Sequence, residues 1–203
     1  MKETHDNGVA ERILRVSVAL FASKGYSATS TREIAQAAGI TKPMLYYYYG
    51  SKEGLRHAAL LHYGRDTASR FDGILASPLT ARERLVEVAW SHLSNLVDEP
   101  DYFRFAMISL FGPSEECPKE ALQEFAQLMD SYHGRIVDQA VAEGIVAPDS
   151  RDLFLSAFRG ILISYTIERQ LGTRLEIDRP LAEEIIRRLL QGFRPGDALG
   201  QSP

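Results

Sequence analysis

The sequence has a single cysteine, Cys117, so no disulfide can form within the chain. No apolar run approaches the ~20 residues that a membrane-spanning helix needs, and the opening stretch, MKETHDNGVAERIL, lacks the apolar centre of a secretion signal. No segment joins strict apolar and polar alternation to hairpin turns, which would indicate β-strands. These absences favour an all-helical protein that acts in the cytoplasm and does not enter a membrane.

Motifs of common catalytic and metal sites are also missing. There is no phosphate-binding loop, no dinucleotide fingerprint and no G-x-S-x-G nucleophile turn. His57 and His62 are five residues apart, about 140° around a helix, which is the wrong spacing for a shared metal ion. Acidic neighbours of Cys117, in SEECPKE, disfavour a reactive thiolate. We therefore predict no catalytic residue, metal or cofactor, although a small helical enzyme stays an alternative.

Charge is distributed unevenly along the 203 residues, whose net charge is −4. Residues 1–65 hold nine Lys and Arg against five Asp and Glu, a net charge of +4. Residues 66–203 hold 14 against 22, a net charge of −8. A basic segment beside an acidic remainder is typical of a protein of which only one end approaches the phosphates of nucleic acid.

Apolar residues recur three and four positions apart along most of the chain, as on one face of an α-helix. This spacing predicts a first helix over residues 8–24, ended by Gly25. Ser30 and Glu33 form a capping box, in which each side chain binds the backbone N–H of the other residue, so they begin a short second helix. We expect Gly39 to end that helix.

Thr41 and Ser51 predict the starts of a third helix and of a fourth that runs to about residue 74. Turn-rich segments then divide the chain into five more predicted helices, over 80–97, 101–111, 118–143, 150–171 and 180–193. The sequence thus predicts an all-α protein of about nine helices. Its predicted parts are a three-helix domain over 1–51, a larger helical domain over 52–194, and a disordered tail over 195–203.

The second and third predicted helices have the features of a helix-turn-helix, in which two short helices cross at a tight turn. Ala35 is small where the helices meet, Gly39 supplies the positive φ of the turn, and Ile40 provides an apolar anchor. Together with the caps at both helix starts, this pattern indicates a DNA-reading element.

The third helix is the predicted recognition helix, and its side chains divide between two faces. Leu45, Tyr48 and Tyr49 lie three and four positions apart, so we expect them to face the core. Lys42 on the other side suits guanine or phosphate, and Tyr46 and Tyr47 suit phosphate oxygens. The predicted DNA contacts come from this face and from the starts of the second and fourth helices: Ser30, Thr31, Thr41, Lys42, Pro43, Met44, Tyr46, Tyr47 and Lys52.

The stretch from Ile13 to about Leu60 resembles the DNA-binding domain of the TetR family of transcriptional regulators. The matching elements are ALFASKGY, TREIAQAAGI, LYYYY and SKEGL, which lie in about a quarter of the chain. Pro43 departs from the glycine or small residue common in the family, and Met44 from the frequent Thr or Ala. The resemblance implies a helical symmetric dimer that represses transcription until a small molecule releases it from a duplex DNA operator. It also implies that residues 1–51 are the DNA-binding domain and residues 52–194 the ligand-binding and dimerisation domain.

The remaining residues have no diagnostic motif, and two sets are candidates for the functions that the resemblance implies. The predicted effector site is mainly aromatic and apolar: Trp90, His92, Phe103, Met107, Phe125, Met129 and His133. The predicted dimer interface pairs the last two helices with their copies through Phe154, Ala157, Ile161, Ile185 and Leu189. Core packing within one chain is the alternative for both sets. A DNA-binding architectural or interaction protein without an effector is the alternative function.

Overall fold

A computed structural model describes residues 2–112, 118–173 and 176–193. Over these residues the protein has nine α-helices, one short 3₁₀ helix (Pro148–Ser150) and no strand, which confirms the predicted all-α class. In chain order the helices are α1 (Lys2–Lys24), α2 (Thr31–Ala37), α3 (Lys42–Tyr49), α4 (Lys52–Ala76), α5 (Ala81–Asp98), α6 (Pro100–Phe111), α7 (Lys119–Ala142), α8 (Arg151–Gln170) and α9 (Arg179–Gln191).

The first helix begins at Lys2, six residues before its predicted start. The segment KETHDN has no apolar residue whose spacing would indicate a helix, but it also has no glycine or proline to interrupt one. Gly25 ends the helix with a φ of 84°, as predicted. The predicted tail over 195–203 and the loop that contains Cys117 lie outside the described residues.

The chain divides into two compact units. The first comprises Met1–Thr67 and Pro100–Gln127, and the second comprises Ala68–Glu99 and Leu128–Pro203. The residues of α4 and α7 are therefore shared between the units. The predicted boundary between residues 51 and 52 separates a DNA-binding from an effector-binding domain. The division into compact units does not test that functional boundary, so it stays a prediction.

In the first unit, α1 packs on α2 and α6 around an apolar core. The rings of Phe21 and Phe105 lie 5.5 Å apart, so α6 packs directly on the first helix. Ile34 of α2 and Leu45 of α3 are fully buried in the same core. Because apolar burial contributes about 25 cal/mol per Å², this shared core holds the two short helices, which would be unstable alone.

In the second unit, α5 packs on α8 and α9. The apolar face of α9 is buried through Ala182, Ile186 and their neighbours, and Phe154 and Phe158 of α8 are buried and stacked. An ion pair between Arg179 and Glu87 joins the start of α9 to α5. None of the described helices combines the length and apolar character needed to cross a membrane.

Candidate DNA-binding site

The start of α2 is fixed by the predicted capping box. Ser30 Oγ accepts a hydrogen bond from Glu33 N at 3.2 Å, and the Glu33 carboxylate accepts one from Ser30 N at 2.9 Å. Lys24 Nζ also donates to this carboxylate, at 2.8 Å. The hydrogen bonds from Lys24 and Ser30 lower the pKa of Glu33 to about 2. The carboxylate is therefore charged at neutral pH, and its bond to Lys24 joins the end of α1 to the start of α2.

The turn between α2 and α3 has the predicted geometry, with one difference at its last residue. Gly39 has a φ of 63°, and Ile40 N donates to Ala35 O at 3.0 Å. Thr41 occupies the N-cap of α3, but its side chain makes no capping hydrogen bond, contrary to the prediction. Its hydroxyl is instead exposed, and its carbonyl accepts the bonds that begin the helix.

The buried side of α3 holds the helix against the first unit's core. Leu45 is fully buried, and Tyr48 and Tyr49 are half-buried against the same core, as expected. Tyr49 OH donates to Ala10 O of α1 at 2.8 Å. Burial, with a smaller effect of Tyr48, raises the pKa of Tyr49 to about 12. Two of the four consecutive tyrosines therefore form the scaffold of the helix.

The opposite side of α3 is exposed and carries most of the predicted DNA contacts. Tyr47 is 79% exposed, Tyr46 40% and Met44 38%. Thr31 Oγ1 of α2 lies 3.4 Å from Tyr46 OH, and Lys42 Nζ lies 5.6 Å from the centre of the Tyr46 ring. The hydrogen bond from Thr31 lowers the pKa of Tyr46, with a smaller effect from Lys42. We call the exposed residues of α3, together with half-buried Thr31 of α2 beside Tyr46, the recognition surface: Thr31, Lys42, Pro43, Met44, Tyr46 and Tyr47.

Lys52, predicted to bind phosphate, also makes contacts within the protein that the sequence did not reveal. Its Nζ donates to Tyr26 O at 2.6 Å and lies 4.1 Å from the centre of the Tyr26 ring. The Arg56 guanidinium lies 3.8 Å from the same ring, and Tyr26 OH donates to Glu53 at 2.8 Å. These contacts join the α1–α2 turn to the first turns of α4. Because Tyr26 lies 26 residues before Lys52, no local pattern could have indicated the cluster.

The predicted effector residues fall in both compact units. Phe103, Met107 and Phe125 belong to the first unit, whereas the four others belong to the second: Trp90, His92, Met129 and His133. His92 Nε2 lies 3.0 Å from Thr166 Oγ1, and desolvation lowers the pKa of His92 to about 4. Within the described part of the chain, no cluster of His, Cys, Asp and Glu is arranged to hold a metal ion.

Trp90 lines an open depression of about 510 Å³ on the second unit. The depression lies between the end of α4 and the middle of α5, with Arg70 and Glu87 among its polar residues. Arg70 also donates to Asn95, and Glu87 pairs with Arg179. Both charged side chains thus already have partners in the protein.

Three of the five predicted dimer residues are buried within the chain, whereas Ala157 and Ile161 are half-buried. Phe154 is fully buried, so its side chain is a core residue and not part of a surface that a second copy could contact. Ile185 and Leu189 are each 9% exposed. The exposed face of α8 lies on its other side and consists of apolar and small residues, which we call the α8 stripe: Leu153, Ser156, Gly160, Ile163, Ser164, Ile167 and Leu171.

Comparisons with known proteins agree with the helix-turn-helix geometry. Residues 13–59 match the family described as bacterial regulatory proteins, tetR family. Over 182 residues the chain is 29% identical to YerO of Bacillus subtilis (strain 168), an uncharacterized HTH-type transcriptional regulator. That match covers 88% of this chain and 61% of YerO, so the chain spans less than two thirds of the relative's length.

A second relative and a solved structure extend the comparison. The HTH-type transcriptional repressor KstR2 of Rhodococcus jostii (strain RHA1) is 35% identical over 79 residues, which are 39% of each chain. The crystal structure of the transcriptional regulator FadR from Bacillus subtilis in complex with stearoyl-CoA superimposes with a TM-score of 0.77. It covers 91% of this chain and 99% of FadR at 17% identity, a level that shows a shared fold.

Proposed function

The chain belongs to the tetR family of bacterial regulatory proteins, and from this membership we propose that it is a DNA-binding transcriptional regulator. The observation that carries the proposal is the recognition surface, whose exposed side chains stand on a helix fixed by buried Leu45 and by the Tyr49–Ala10 hydrogen bond. Such a rigid support is what base reading requires, because a contact to a base edge depends on the orientation of the helix.

Each part of the recognition surface has a proposed role on duplex DNA. Lys42 contacts guanine or a phosphate, and Pro43 and Met44 make apolar contacts with thymine methyl groups. Tyr46 and Tyr47 bind phosphate oxygens and fix the register, as does Thr31. Ser30 and Thr41, at the helix starts, and Lys52 complete the proposed phosphate contacts. Lys52 Nζ contacts a phosphate only if it leaves the Tyr26 carbonyl, or if it donates one N–H to that carbonyl and another to the phosphate.

We propose that the regulator is a homodimer formed through the α8 stripe. A continuous row of exposed Leu and Ile beside small Ser and Gly permits close approach of two helices. Of the predicted residues, Ala157 and Ile161 are half-buried on α8 and are retained in the proposal. Ile185 and Leu189 of α9, each 9% exposed, are retained as well. A dimer that binds two half-sites on one face of the DNA needs its two recognition helices about 34–36 Å apart.

The second unit is the proposed effector domain, and repression relieved by a small molecule is the proposed mode of regulation. Support comes from relatives: KstR2 is named a transcriptional repressor, and FadR was solved with stearoyl-CoA. The proposed coupling element is α4, which is continuous from Lys52 to Ala76. If an effector has different affinities for two conformations that differ in the placement of α4, its binding would change the DNA affinity by the typical ~1–3 kcal/mol of allosteric coupling.

A role as regulator is proposed over a role as enzyme because the matched family and the reported relatives are regulators. A regulator of a bacterial chromosome acts in the cytoplasm, and that location is proposed on the same ground. The remaining alternative is an architectural DNA-binding protein without an effector, which would bind DNA with an affinity that no small molecule changes.

Selection of duplexes from a random pool tests the proposal directly. We expect enrichment of a palindromic site, and sedimentation of the purified complex should show an even number of chains on it. Lys42→Ala and Met44→Ala should relax the preference at one or two base pairs of each half-site. A pool without an enriched sequence, or a single chain on the DNA, would contradict the proposed regulator.

A further inference from the structure

Among the described residues of the second unit, three buried side-chain nitrogen atoms have no hydrogen-bond partner: Arg84 Nε, His133 Nδ1 and Arg159 Nε. Of these three residues, His133 on α7 and Arg159 on α8 are joined by further contacts. His133 is 9% exposed, so bulk water scarcely reaches its ring. Buried polar atoms are almost always paired, because an unpaired one loses its hydrogen bonds to water without replacement. Two such atoms, on residues close enough for the charge of Arg159 to act on His133, therefore indicate a place where another molecule supplies the missing acceptor.

Contacts between α7 and α8 bring His133 and Arg159 near each other, along what we call the α7–α8 seam. Asp130, one turn before His133 on α7, forms an ion pair with Arg159 of α8. The His133 ring meets Phe158 edge to face, with 5.7 Å between ring centres, and Phe158 directly precedes Arg159 in the chain. On its other side the His133 ring lies 5.6 Å from the ring of Phe71. The His133 ring thus contacts two aromatic side chains, and Arg159, whose charge acts on His133, is held by Asp130 of the same helix as His133.

The charges around the seam select the kind of acceptor. Arg159 is positively charged, but Asp130 already balances that charge. Desolvation, with smaller effects of Arg159 and His92, lowers the pKa of His133 to about 3, so its ring is neutral. His92 is neutral for the same reason. A carboxylate added here would leave one negative charge unbalanced in an apolar region, whereas an uncharged oxygen would not.

We propose that His133 and Arg159 together bind the carbonyl oxygen of an uncharged, apolar effector, with Phe71 and Phe158 against its body. In this site Arg159 Nε–H and the Nδ1–H tautomer of His133 donate to the two lone pairs of one oxygen. The inference rests on the proposed function, since it names the chemistry of the effector for the proposed effector domain.

Three probes of one skeleton test the site: phenylcyclohexane, 4-phenylcyclohexanone and 4-phenylcyclohexanecarboxylate. Binding to the full chain is measured by calorimetry, and the ring nitrogens of His133 are followed by ¹⁵N NMR. We expect the ketone to bind about tenfold more tightly than the hydrocarbon, as for one hydrogen bond to an otherwise unpaired donor, and to shift the Nδ1 resonance. The carboxylate should bind more weakly than the ketone.

His133→Phe keeps the aromatic contacts and removes Nδ1, and Arg159→Met removes Nε. Both substitutions should reduce the preference for the ketone to within about threefold of the hydrocarbon. Asp130→Asn is the matched control, because it leaves both nitrogen atoms in place and removes the balancing charge. It should retain the ketone preference and raise the affinity for the carboxylate. The NMR shift uses the wild-type chain, so it decides the matter even if a variant fails to fold.

Failure of this inference is separable from failure of the proposed function by measuring DNA binding on the same samples. If the chain binds its selected duplex but no probe binds, or if ketone and hydrocarbon bind equally, the inference is wrong and the regulator stands. A ketone preference that persists in His133→Phe would also overturn it. A chain that binds no DNA sequence selectively contradicts the proposed function itself.

Discussion

Replacing Tyr47 and Tyr49 separately with phenylalanine removes the same hydroxyl group from opposite faces of α3. Tyr49 OH donates to Ala10 O at 2.8 Å and is half-buried, whereas Tyr47 is 79% exposed. A hydrogen bond within a protein contributes about 1 kcal/mol net to folding. We expect Tyr49→Phe to lower the free energy of unfolding by about 1 kcal/mol, and Tyr47→Phe to change it by less than about 0.5 kcal/mol.

The effects on DNA binding should be reversed. The Tyr47 hydroxyl is proposed to bind a phosphate, so its loss should weaken binding to every sequence by about fivefold, or roughly 1 kcal/mol. Because no charge is removed, the salt dependence of binding should not change. Tyr49→Phe should leave the affinity within about twofold of wild type, since its hydroxyl faces α1.

Urea unfolding at one fixed protein concentration measures the first quantity, because a dimer's stability depends on concentration. Fluorescence anisotropy of a labelled duplex at several salt concentrations measures the second. The two variants serve as each other's control, because the chemical change is identical. If both variants weaken DNA binding equally, or if Tyr47→Phe destabilises the fold as much as Tyr49→Phe, the division of α3 into scaffold and recognition surface is wrong.

Three further predictions concern charge, assembly and pH. Lys52→Met should weaken binding to all DNA sequences and lower the slope of log affinity against log salt by about one unit; an unchanged slope with reduced stability would show that Lys52 only holds Tyr26. Ile163→Asp should convert the dimer to monomers in sedimentation, whereas Ser131→Asp, exposed on α7, should not. Because the pKa of His133 is about 3 in the folded chain and near 6.5 when unfolded, the unfolded chain binds the proton first as pH falls. Lowering pH from about 7.5 to 5.5 should therefore cost about 1.4 kcal/mol through this group, and His133→Phe should abolish that part of the loss in urea titrations.

The helices were predictable because their signals are local. The capping box at Ser30 and Glu33 and the positive φ of Gly39 depend on residues within one turn of each other, and both are present. The hydrogen bond from Gly54 N to Ser51 Oγ at 2.9 Å likewise confirms the predicted cap of α4. The start of α1 was mispredicted because a polar helix end carries no apolar spacing.

Contacts between distant residues were not predictable from spacing. The spacing of Phe154 along α8 is what an interface residue would also show. In the structure Phe154 is buried beside Phe158, and the α8 stripe lies on the other side of the helix. Periodicity shows that a helix has an apolar face, but not which neighbour covers it. For the same reason, the spacing of apolar residues could not show that Phe103 belongs to the first unit and His133 to the second.

The sequence by itself determined that the chain is helical, where its helix-turn-helix lies and which family it resembles, because caps, turns and the spacing of apolar residues act over a few positions. Only the tertiary structure decided what Lys52 contacts, that Phe154 is buried, and that His133 Nδ1 and Arg159 Nε lack a hydrogen-bond partner among the described residues. Those outcomes depend on side chains from separate helices meeting in one core, and burial rather than sequence position then fixes what each group can bind.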